Sequence, residues 1–553
     1  MNARIAPLLL TALVGSLGLS ACVTTQQVDP ERSPDPRDDL PELSSAEQTK
    51  LESERHGRLA DARPLATVLE LSEADPIINV RVVLQTGSAD DPRGKEGLAA
   101  LSGKLMRQAT EKLSAQELAD ALYPWAAELE VQADKDTLVF LGRVHKDHAA
   151  PWTEILLDVL LHPRLDTGDF ARVKEEQLAQ LKSSLRTGND EALQREALEA
   201  LLYDGARLAP AAFPSASQHP YAHTPTGTVA GLESIQLHDV RAFLKAALVR
   251  DRVVLGISGG APPEMVTRLR SALEALPFAT AERAAVPAPA GPDRNVLLIV
   301  DKPSAATAIS VGFALPELNP THPDYPAMKV AETWFGEHRN LLGHLFDSMR
   351  EKRGLNYGSY AYVEHFVQEG SGTYERLNVP RRTQYFSMWI RPVEHKNRLF
   401  ALRQAVWELD RLVKAGIPSD ESFLRVQSFL QGYWRQKEAQ PLRALGYRLD
   451  RKLTQAPVDR DGLRERVARL TRAEVNDAIQ RHLRADRLAL VVVTENGAAL
   501  ASDLVARKSS PLQYLAPNID KGQLAEDAQI DAFDLGLSAD RILWVKPDTL
   551  FAK

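Results

Sequence analysis

One stretch of this sequence decides the fold, and it reads Leu345-Phe-Asp-Ser-Met-Arg-Glu-Lys-Arg-Gly-Leu-Asn-Tyr357. It begins as the end of a helix, because good helix formers are followed by a basic run that suits a helix C-terminus. Gly354 then predicts a left-handed cap, and the aromatic residues from Tyr357 to Tyr362 predict a strand. Arg350 would lie on the last helical turn and Tyr357 just inside the strand. A guanidinium and a phenol placed in this way can point at one polar group.

Two interpretations of this pair remain open when the stretch is taken alone. In the first, Arg350 and Tyr357 form a functional pair that contacts a ligand. In the second, Arg350 is a charge on the surface and Tyr357 is a core residue of the strand, where aromatic residues are common. The rest of the chain has to decide between them.

The composition narrows the classes of protein to which the chain can belong. Its 553 residues suggest more than one domain, and 44% hydrophobic with 25% charged residues is ordinary for a globular protein. The net charge of -7 does not indicate a nucleic-acid-binding surface, and no nucleic-acid partner is expected. Cys22 is the single cysteine of the sequence, which excludes an intramolecular disulfide and a cysteine metal cluster.

The N-terminus predicts export and lipidation. Arg4 precedes an apolar run, residues 5–19, that is too short for a comfortable transmembrane helix. The small residues before Cys22 resemble a bacterial lipoprotein cleavage site, which makes residues 1–22 a lipoprotein signal peptide; a plain secretory signal with an incidental cysteine is the alternative. Because Val23 and not an aspartate follows, we expect an outer-membrane lipoprotein of the bacterial cell envelope. It would face the periplasm and contact the membrane through lipidated Cys22.

After a polar, proline-rich segment, the same order of predicted elements occurs twice. In the first part, apolar runs at residues 68–71 and 77–84 predict a hairpin. In the second part, apolar runs at residues 296–300 and 308–313 predict another hairpin. This repetition indicates a duplicated domain.

The ends of the two parts support the duplication. Residues 243–255 and 479–490 both predict a helix followed by a strand, and their sequences are similar at an offset of roughly 230 residues, which is the size of a domain. Strands and helices mix without regular alternation, so the predicted fold class is α+β, with two homologous halves that each pack helices against a mainly antiparallel sheet. The predicted domains are a flexible tether (23–46), an N-terminal domain (47–280), a linker rich in alanine and proline (281–292), a C-terminal domain (293–505) and an extension packed on the outside (506–553).

The opening stretch resembles the second-half signature of the pitrilysin, insulinase and mitochondrial-processing-peptidase family of zinc metallopeptidases. In that family an arginine and a tyrosine, seven positions apart, face the zinc site from the opposite domain, and Arg350 and Tyr357 have this spacing. The resemblance extends over about residues 65–505 of the chain. It implies two similar halves that close like a clam around a chamber.

The resemblance also implies a zinc site in the first half, but this sequence departs from it. The family follows a Gly-Leu-Ala helix start with His-x-x-Glu-His, in which the histidines bind zinc and the glutamate is the general base. In this sequence Ala100 replaces the first histidine, Gly103 replaces the glutamate and Lys104 replaces the second histidine. The distal glutamate ligand corresponds to Gln180, and Glu175 and Glu176 are the neighbouring alternatives. We therefore expect no metal and no cofactor in this chain.

Other candidate sites are weaker. His145 and His148 are three apart, but the segment predicts solvated histidines of a loop. The segment Gly256-Ile-Ser-Gly-Gly260 formally matches the elbow of serine hydrolases, but Ala-Pro-Pro follows where a helix should begin, so we interpret it as a strand end and a turn. Three tryptophans at apolar positions are predicted core residues: Trp389, Trp407 and Trp434.

The resemblance implies a function shared between chains. In the bacterial branch of the family, some chains carry the zinc site and others carry the arginine and tyrosine, and this chain looks like the second kind. Arg350 would bind a backbone carbonyl of an extended peptide, and Tyr357 would donate a hydrogen bond to the oxyanion at a zinc site supplied by a homologous partner chain. The alternative is a catalytically inactive peptide-binding or assembly scaffold lipoprotein of the outer membrane. Residues 366–382 are interpreted as a loop over the mouth of the cavity.

Overall fold

The computed structural model describes residues 64–208, 219–514 and 518–553. The signal peptide, the tether and Cys22 lie outside the described residues. Eleven strands in the described part of the chain form two sheets. They are β1 (Ala66–Leu71), β2 (Ile77–Leu84), β3 (Glu128–Ala133), β4 (Leu138–His145), β5 (Val253–Gly259), β6 (Val296–Asp301), β7 (Thr307–Ala314), β8 (Ser359–Tyr362), β9 (Tyr385–Val393), β10 (Ala489–Thr494) and β11 (Ile542–Val545).

The topology of the two sheets repeats. The first sheet has the order β1-β5-β2-β4-β3 and the second has β11-β6-β10-β7-β9-β8, so a shift of five in strand number superimposes one order on the other. The directions repeat as well, because β1 is parallel to β5 and β6 is parallel to β10, whereas the other corresponding pairs are antiparallel. The predicted α+β fold of two homologous, mainly antiparallel halves is confirmed.

Both predicted hairpins are wrong. The last strand of each half inserts between the two strands that were expected to pair: β5 separates β1 from β2, and β10 separates β6 from β7. The reason is burial. Every residue of β5 and of β10 is buried, and a strand with apolar residues on both faces is placed best in the middle of a sheet.

Some helices of the described residues pack on the faces of these sheets, and others pack on neighbouring helices. Within the described residues, none of them is long and apolar enough to cross a bilayer. They are α1 (Leu98–Met106), α2 (Ala115–Leu122), α3 (Ala149–Leu161), α4 (Thr167–Ala179), α5 (Asp190–Leu208), α6 (Val229–Ser234), α7 (Leu237–Ala247), α8 (Pro263–Glu274), α9 (Tyr325–Gly336), α10 (Arg398–Ala415), α11 (Asp420–Glu438), α12 (Pro441–Thr454), α13 (Arg460–Arg469), α14 (Arg472–His482), α15 (Gly497–Val505) and α16 (Lys521–Asp531).

Each half sends one helix onto the sheet of the other half. Helix α5 of the first half contacts β7 and β10, and helix α12 of the second half contacts β1 and β5. Two glycines permit the close approach. A Cβ atom at Gly312 would lie 3.1 Å from Leu198 of α5, and a Cβ atom at Gly256 would lie 2.6 Å from Leu449 of α12. The halves are therefore interlocked through their cores.

A buried arginine also joins the halves. Arg381 donates hydrogen bonds to Asp134 at 2.9 Å and to Glu199 at 2.8 Å, and all three side chains are at most 6% exposed. The interpretation of residues 366–382 as a loop over a cavity holds only for the start of the segment, where Phe366 and Val367 line the small cavity between the halves. The tip, residues 370–372, is exposed, but the end of the segment crosses into the first half because Arg381 pairs with carboxylates there.

The C-terminal residues are built into the protein, and they are not packed on its outside as expected. Strand β11 extends the second sheet, parallel to β6. Leu550 and Phe551 are buried in the core of the first half, and the carbonyl of Phe551 accepts a hydrogen bond of 2.9 Å from Val229 N–H. The end of the chain thus contributes to both halves. No observation tests the predicted domain boundaries.

Candidate functional site

The turn that carries Arg350 and Tyr357 follows from local hydrogen bonds. Arg350 lies in a π-helical segment, Phe346–Glu351, an element that is frequent at functional sites. Gly354 ends it in the left-handed conformation, with a φ of 62°, and its N–H donates to the carbonyl of Arg350 at 2.8 Å. The predicted helix end and cap are confirmed.

Tyr357 was predicted to lie just inside the strand. It lies in a turn instead, because β8 begins only at Ser359. The cause is Asn356. Its side chain accepts a hydrogen bond from Gly358 N–H at 3.1 Å and donates one to the carbonyl of Arg391 at 3.0 Å. An asparagine that binds the backbone two residues ahead stabilises a turn, which delays the start of the strand.

The structure brings the two predicted residues together at the surface. The guanidinium of Arg350 lies 4.5 Å from the ring of Phe346 and 6.0 Å from the ring of Tyr357. Tyr357 is 79% exposed, so its interpretation as a core residue is excluded. Arg350 is 38% exposed and approaches Glu351 only at 3.6 Å. Among the described residues, the Tyr357 hydroxyl has no hydrogen-bond partner.

This arrangement can bind an oxygen atom that carries negative charge. The guanidinium and the phenol are both hydrogen-bond donors, and neither is engaged in a close pair that would have to be broken. The cation–π contacts with Phe346 and Tyr357 hold the guanidinium in place. A carbonyl or an oxyanion on another molecule could therefore accept from both.

Aromatic side chains behind the pair form a cluster that the sequence analysis did not identify. His338 Nδ1 lies 2.8 Å from the Tyr362 hydroxyl, and its ring stacks on Trp389 at a centroid distance of 5.7 Å. Burial, together with the nearby guanidinium of Arg339, lowers the pKa of His338 to about 3. His338 is thus a neutral packing residue. The alternation of Tyr360 and Tyr362 along the predicted strand was a sequence signal for one side of this aromatic cluster.

The positions that correspond to the zinc motif also come together. Helix α1 places Ala100 and Lys104 one turn apart, and Lys104 Nζ donates a hydrogen bond of 2.9 Å to Gln180 Oε1. Gln180 begins a second π-helical segment, Gln180–Gly188, which continues α4. Burial lowers the pKa of Lys104, and Glu176 opposes that shift. A hydrogen-bonded amine and amide occupy the place where the resemblance implies metal ligands.

The residues at these positions do not fit a zinc ion. Ala100 and Gly103 offer no ligand atom, and an ammonium repels a cation. Gly103 also has no space for a side chain, because a Cβ atom there would lie 2.5 Å from Leu138 and 2.8 Å from Val131.

The serine of the serine-hydrolase motif, Ser258, is not accessible as a nucleophile. Ser258 is fully buried inside β5, and its hydroxyl accepts a hydrogen bond of 3.3 Å from Asn79. A nucleophile in an elbow has to be exposed at the end of a strand. The interpretation as a strand end and a turn is confirmed, although α8 begins at Pro263, directly after the turn. The prediction that three tryptophans are core residues is also confirmed: Trp389, Trp407 and Trp434 are at most 7% exposed.

The cavity between the halves is small. It has a volume of about 80 Å³ and is lined by charged and aromatic side chains that include Glu196, Glu199, His365 and Trp389. Pockets that hold small molecules are larger, at about 300–1,000 Å³.

Two family models match the sequence. Residues 66–211 match the model described as insulinase, peptidase family M16, and residues 234–421 match the model described as peptidase M16 inactive domain. Together they cover more than half of the chain. No curated protein matches it.

Solved structures show the same fold. A peptidase M16 inactive domain from Pseudomonas fluorescens is 20% identical with a TM-score of 0.67, and the match covers 79% of this chain and 96% of that one. A protease from Helicobacter pylori is 14% identical with a TM-score of 0.62, covering 77% and 96%. A chain of complex III2 from Candida albicans is 15% identical with a TM-score of 0.58, covering 78% and 95%. At these identities the similarity shows the fold alone.

Proposed function

The chain belongs to the insulinase family of peptidases, family M16, and from this membership we propose that it is the non-zinc subunit of a metalloendopeptidase formed by two different chains. A homologous partner would supply the zinc ion and the general base. This chain would supply Arg350 and Tyr357. Alone, it would have no peptidase activity.

The exposure of Tyr357 is the observation that carries this proposal. A tyrosine that is 79% exposed beside a guanidinium has no role in the core of this chain. The positions of the zinc motif in the same chain hold an alanine, a glycine and a lysine. A donor pair without a metal site of its own is complete only when another molecule faces it.

The size of the cavity also supports a second chain. A cavity of about 80 Å³ lies between the halves, and the ion pairs of Arg381 hold the halves together. A chamber for an extended peptide would then lie between this chain and its partner. The exposed surface around Tyr357 would form part of its wall.

Each residue of the pair would have a separate role in the complex. Arg350 would bind a backbone carbonyl of the extended peptide and hold it in register. Tyr357 would donate a hydrogen bond to the oxyanion of the tetrahedral intermediate. A donor of this kind is worth roughly 3 kcal/mol of transition-state stabilisation, because it strengthens as the negative charge develops.

The N-terminal residues support a place of action at the outer membrane. Lipidation of Cys22 would anchor the chain in the outer membrane, and residues 23–46 would let the folded part extend into the periplasm. Periplasmic peptides would then be the substrates. The partner has to reach the same face of the membrane.

A pull-down of this chain from the envelope of its own host, with zinc analysis and a peptidase assay of the eluate, tests the proposal. We expect a second M16 chain, zinc and peptide cleavage in the eluate. Arg350→Ala should keep the partner and lose cleavage. Lys352→Ala is the matched control, because Lys352 is an exposed cation of the same turn that pairs with Asp347 at 2.7 Å; it should keep both.

Other outcomes contradict the proposal. If the eluate holds neither zinc nor peptidase activity, and only unrelated proteins or none, the chain is the peptide-binding or assembly scaffold that the sequence analysis left as the alternative. If Arg350→Ala and Lys352→Ala reduce cleavage equally, the pair has no specific role.

A further inference from the structure

Three side chains with metal-ligating atoms meet in the second half, outside the turn that carries Tyr357. His322 and Asp324 lie in the turn before α9, and His482 is the last residue of α14. Asp324 and His482 are 158 residues apart in sequence, so spacing could not connect them. All three are half-buried.

Their geometry is close to that of a metal site. His482 Nε2 lies 2.8 Å from Asp324 Oδ2, and the rings of His322 and His482 are perpendicular with centroids 5.0 Å apart. One ligand atom from each side chain lies within 4.8 Å of the other two. An ion at the usual distance of about 2.0–2.2 Å from nitrogen and oxygen ligands fits among them after small rotations.

We propose that His322, Asp324 and His482 bind a divalent transition-metal ion, with zinc as the first candidate. Two imidazoles and one carboxylate are ligands that zinc accepts, and they leave a fourth position open to water. Because hard ions such as magnesium and calcium prefer all-oxygen ligands, they would bind here weakly.

Arg481 is compatible with the bound ion. It donates to both oxygens of Asp324, each at 3.0 Å, but its side chain is 54% exposed, and an exposed ion pair contributes little. An ion bound through Oδ2 would displace only one of these hydrogen bonds. Arg481 would then hold Oδ1 and orient the carboxylate, as outer-shell partners of metal ligands do.

His322 has to give up one contact. Its Nδ1 accepts a hydrogen bond of 3.1 Å from the N–H of Asp324, so the neutral ring carries its proton on Nε2. Binding through Nε2 moves that proton to Nδ1 and breaks this hydrogen bond. The ion would in exchange connect the turn before α9 to the end of α14, two helices that pack on each other.

Zinc titration of the full-length chain, purified without a histidine tag and measured in competition with a chromogenic chelator, tests this site. We expect one zinc equivalent, a higher Tm with zinc than without, and visible absorption bands when Co²⁺ replaces zinc. His482→Ala and Asp324→Asn should each weaken binding by more than about 10-fold, the lower limit for loss of an outer-shell partner. His238→Ala, at a histidine that is 79% exposed and close to Asp239, is the matched control and should bind like the wild type.

A second variant separates folding from binding. His482→Gln keeps a donor toward Asp324 but has no imidazole, so it should fold and still lose the zinc equivalent. Equal zinc binding by wild type, His482→Gln and Asp324→Asn would overturn the proposal, and so would the absence of a zinc equivalent in the wild type. The measurement needs no partner chain, so its result is independent of the proposed peptidase function.

Discussion

Lys104 Nζ donates a hydrogen bond of 2.9 Å to Oε1 of Gln180. These two residues occupy positions at which the family resemblance implies metal ligands. The bond joins α1 to the segment that follows α4, which is the connection that an ion at this place would make. A hydrogen bond from the Lys104 side chain therefore makes this connection between α1 and the segment that follows α4.

Gly103 gives the first test of how far this site has changed. Gly103→Ala places a methyl group 2.5 Å from Leu138, which is fully buried, and overpacking a core costs about 1–3 kcal/mol. The better helix propensity of alanine offsets up to about 1 kcal/mol of this cost. We expect a net loss of stability of up to about 2 kcal/mol in urea unfolding.

Gly432→Ala is the matched control for that measurement. Gly432 also lies inside a helix, α11, but a Cβ atom there would have no neighbour within 4 Å. This variant should gain about 0.5–1 kcal/mol, because only the helix propensity changes. A gain of equal size at both glycines would contradict the close packing at Gly103.

Tyr357→Phe should separate binding from chemistry. The change removes only the hydroxyl, and Tyr357 is 79% exposed, so Tm should not change. In complex with the zinc-bearing partner, we expect kcat to fall by about 10²–10³-fold, as it does when one oxyanion donor is removed. Tyr123→Phe, at a tyrosine that is 86% exposed in the first half, should leave kcat unchanged. A normal kcat for Tyr357→Phe would exclude the hydroxyl from the oxyanion site.

The sequence predicts the duplication but not the order of the strands. The similar closing segments that contain β5 and β10 are visible in one dimension, and their apolar residues predict buried strands. Which strand lies beside β1 depends on contacts between residues nearly 190 apart, such as Ala66 and Val254, and local patterns carry no information on these contacts. The local pattern predicted a hairpin of β1 and β2. In the structure β5, which is buried on both faces, lies between these two strands.

The candidate site could be predicted in part for the same reason. The helix end at Arg350 and the cap at Gly354 depend on neighbours in sequence, and both are confirmed. The exposure of Tyr357 and the contact of Lys104 with Gln180 depend on tertiary packing, and only the resemblance gave a reason to expect them. The pairing of Arg381 with Asp134 crosses 247 residues and had no sequence signal.

Arg381 should be among the most sensitive positions of the fold. Its removal leaves the buried carboxylates of Asp134 and Glu199 without their guanidinium partner and with His365 alone at 3.4–3.5 Å, and breaking a buried pair costs about 3–5 kcal/mol. We expect Arg381→Ala to lower the free energy of unfolding by that amount. Arg469→Ala removes an ion pair with Glu465 in which both side chains are at least 70% exposed, and it should cost less than about 0.5 kcal/mol. Similar losses for both would mean that the halves do not depend on Arg381.

Asp450 should make stability depend on pH. Burial raises its pKa to about 7 from an ordinary value of 3.8, although hydrogen bonds from Asn378 oppose the shift. The folded state thus binds more protons than the unfolded state between these two values, so this group's contribution to stability falls as pH rises from about 4 to about 7. The full loss is about 4 kcal/mol, at 1.36 kcal/mol for each pKa unit.

Asp450→Asn isolates this contribution from that of all other groups. The asparagine oxygen can still accept the hydrogen bonds of 3.0 and 3.1 Å from Asn378, but it does not titrate. We expect the variant to be more stable than the wild type at pH 8, with the difference shrinking or reversing at pH 4, in urea unfolding at each pH. A difference that stays constant across this range would mean that Asp450 has an ordinary pKa in the folded protein.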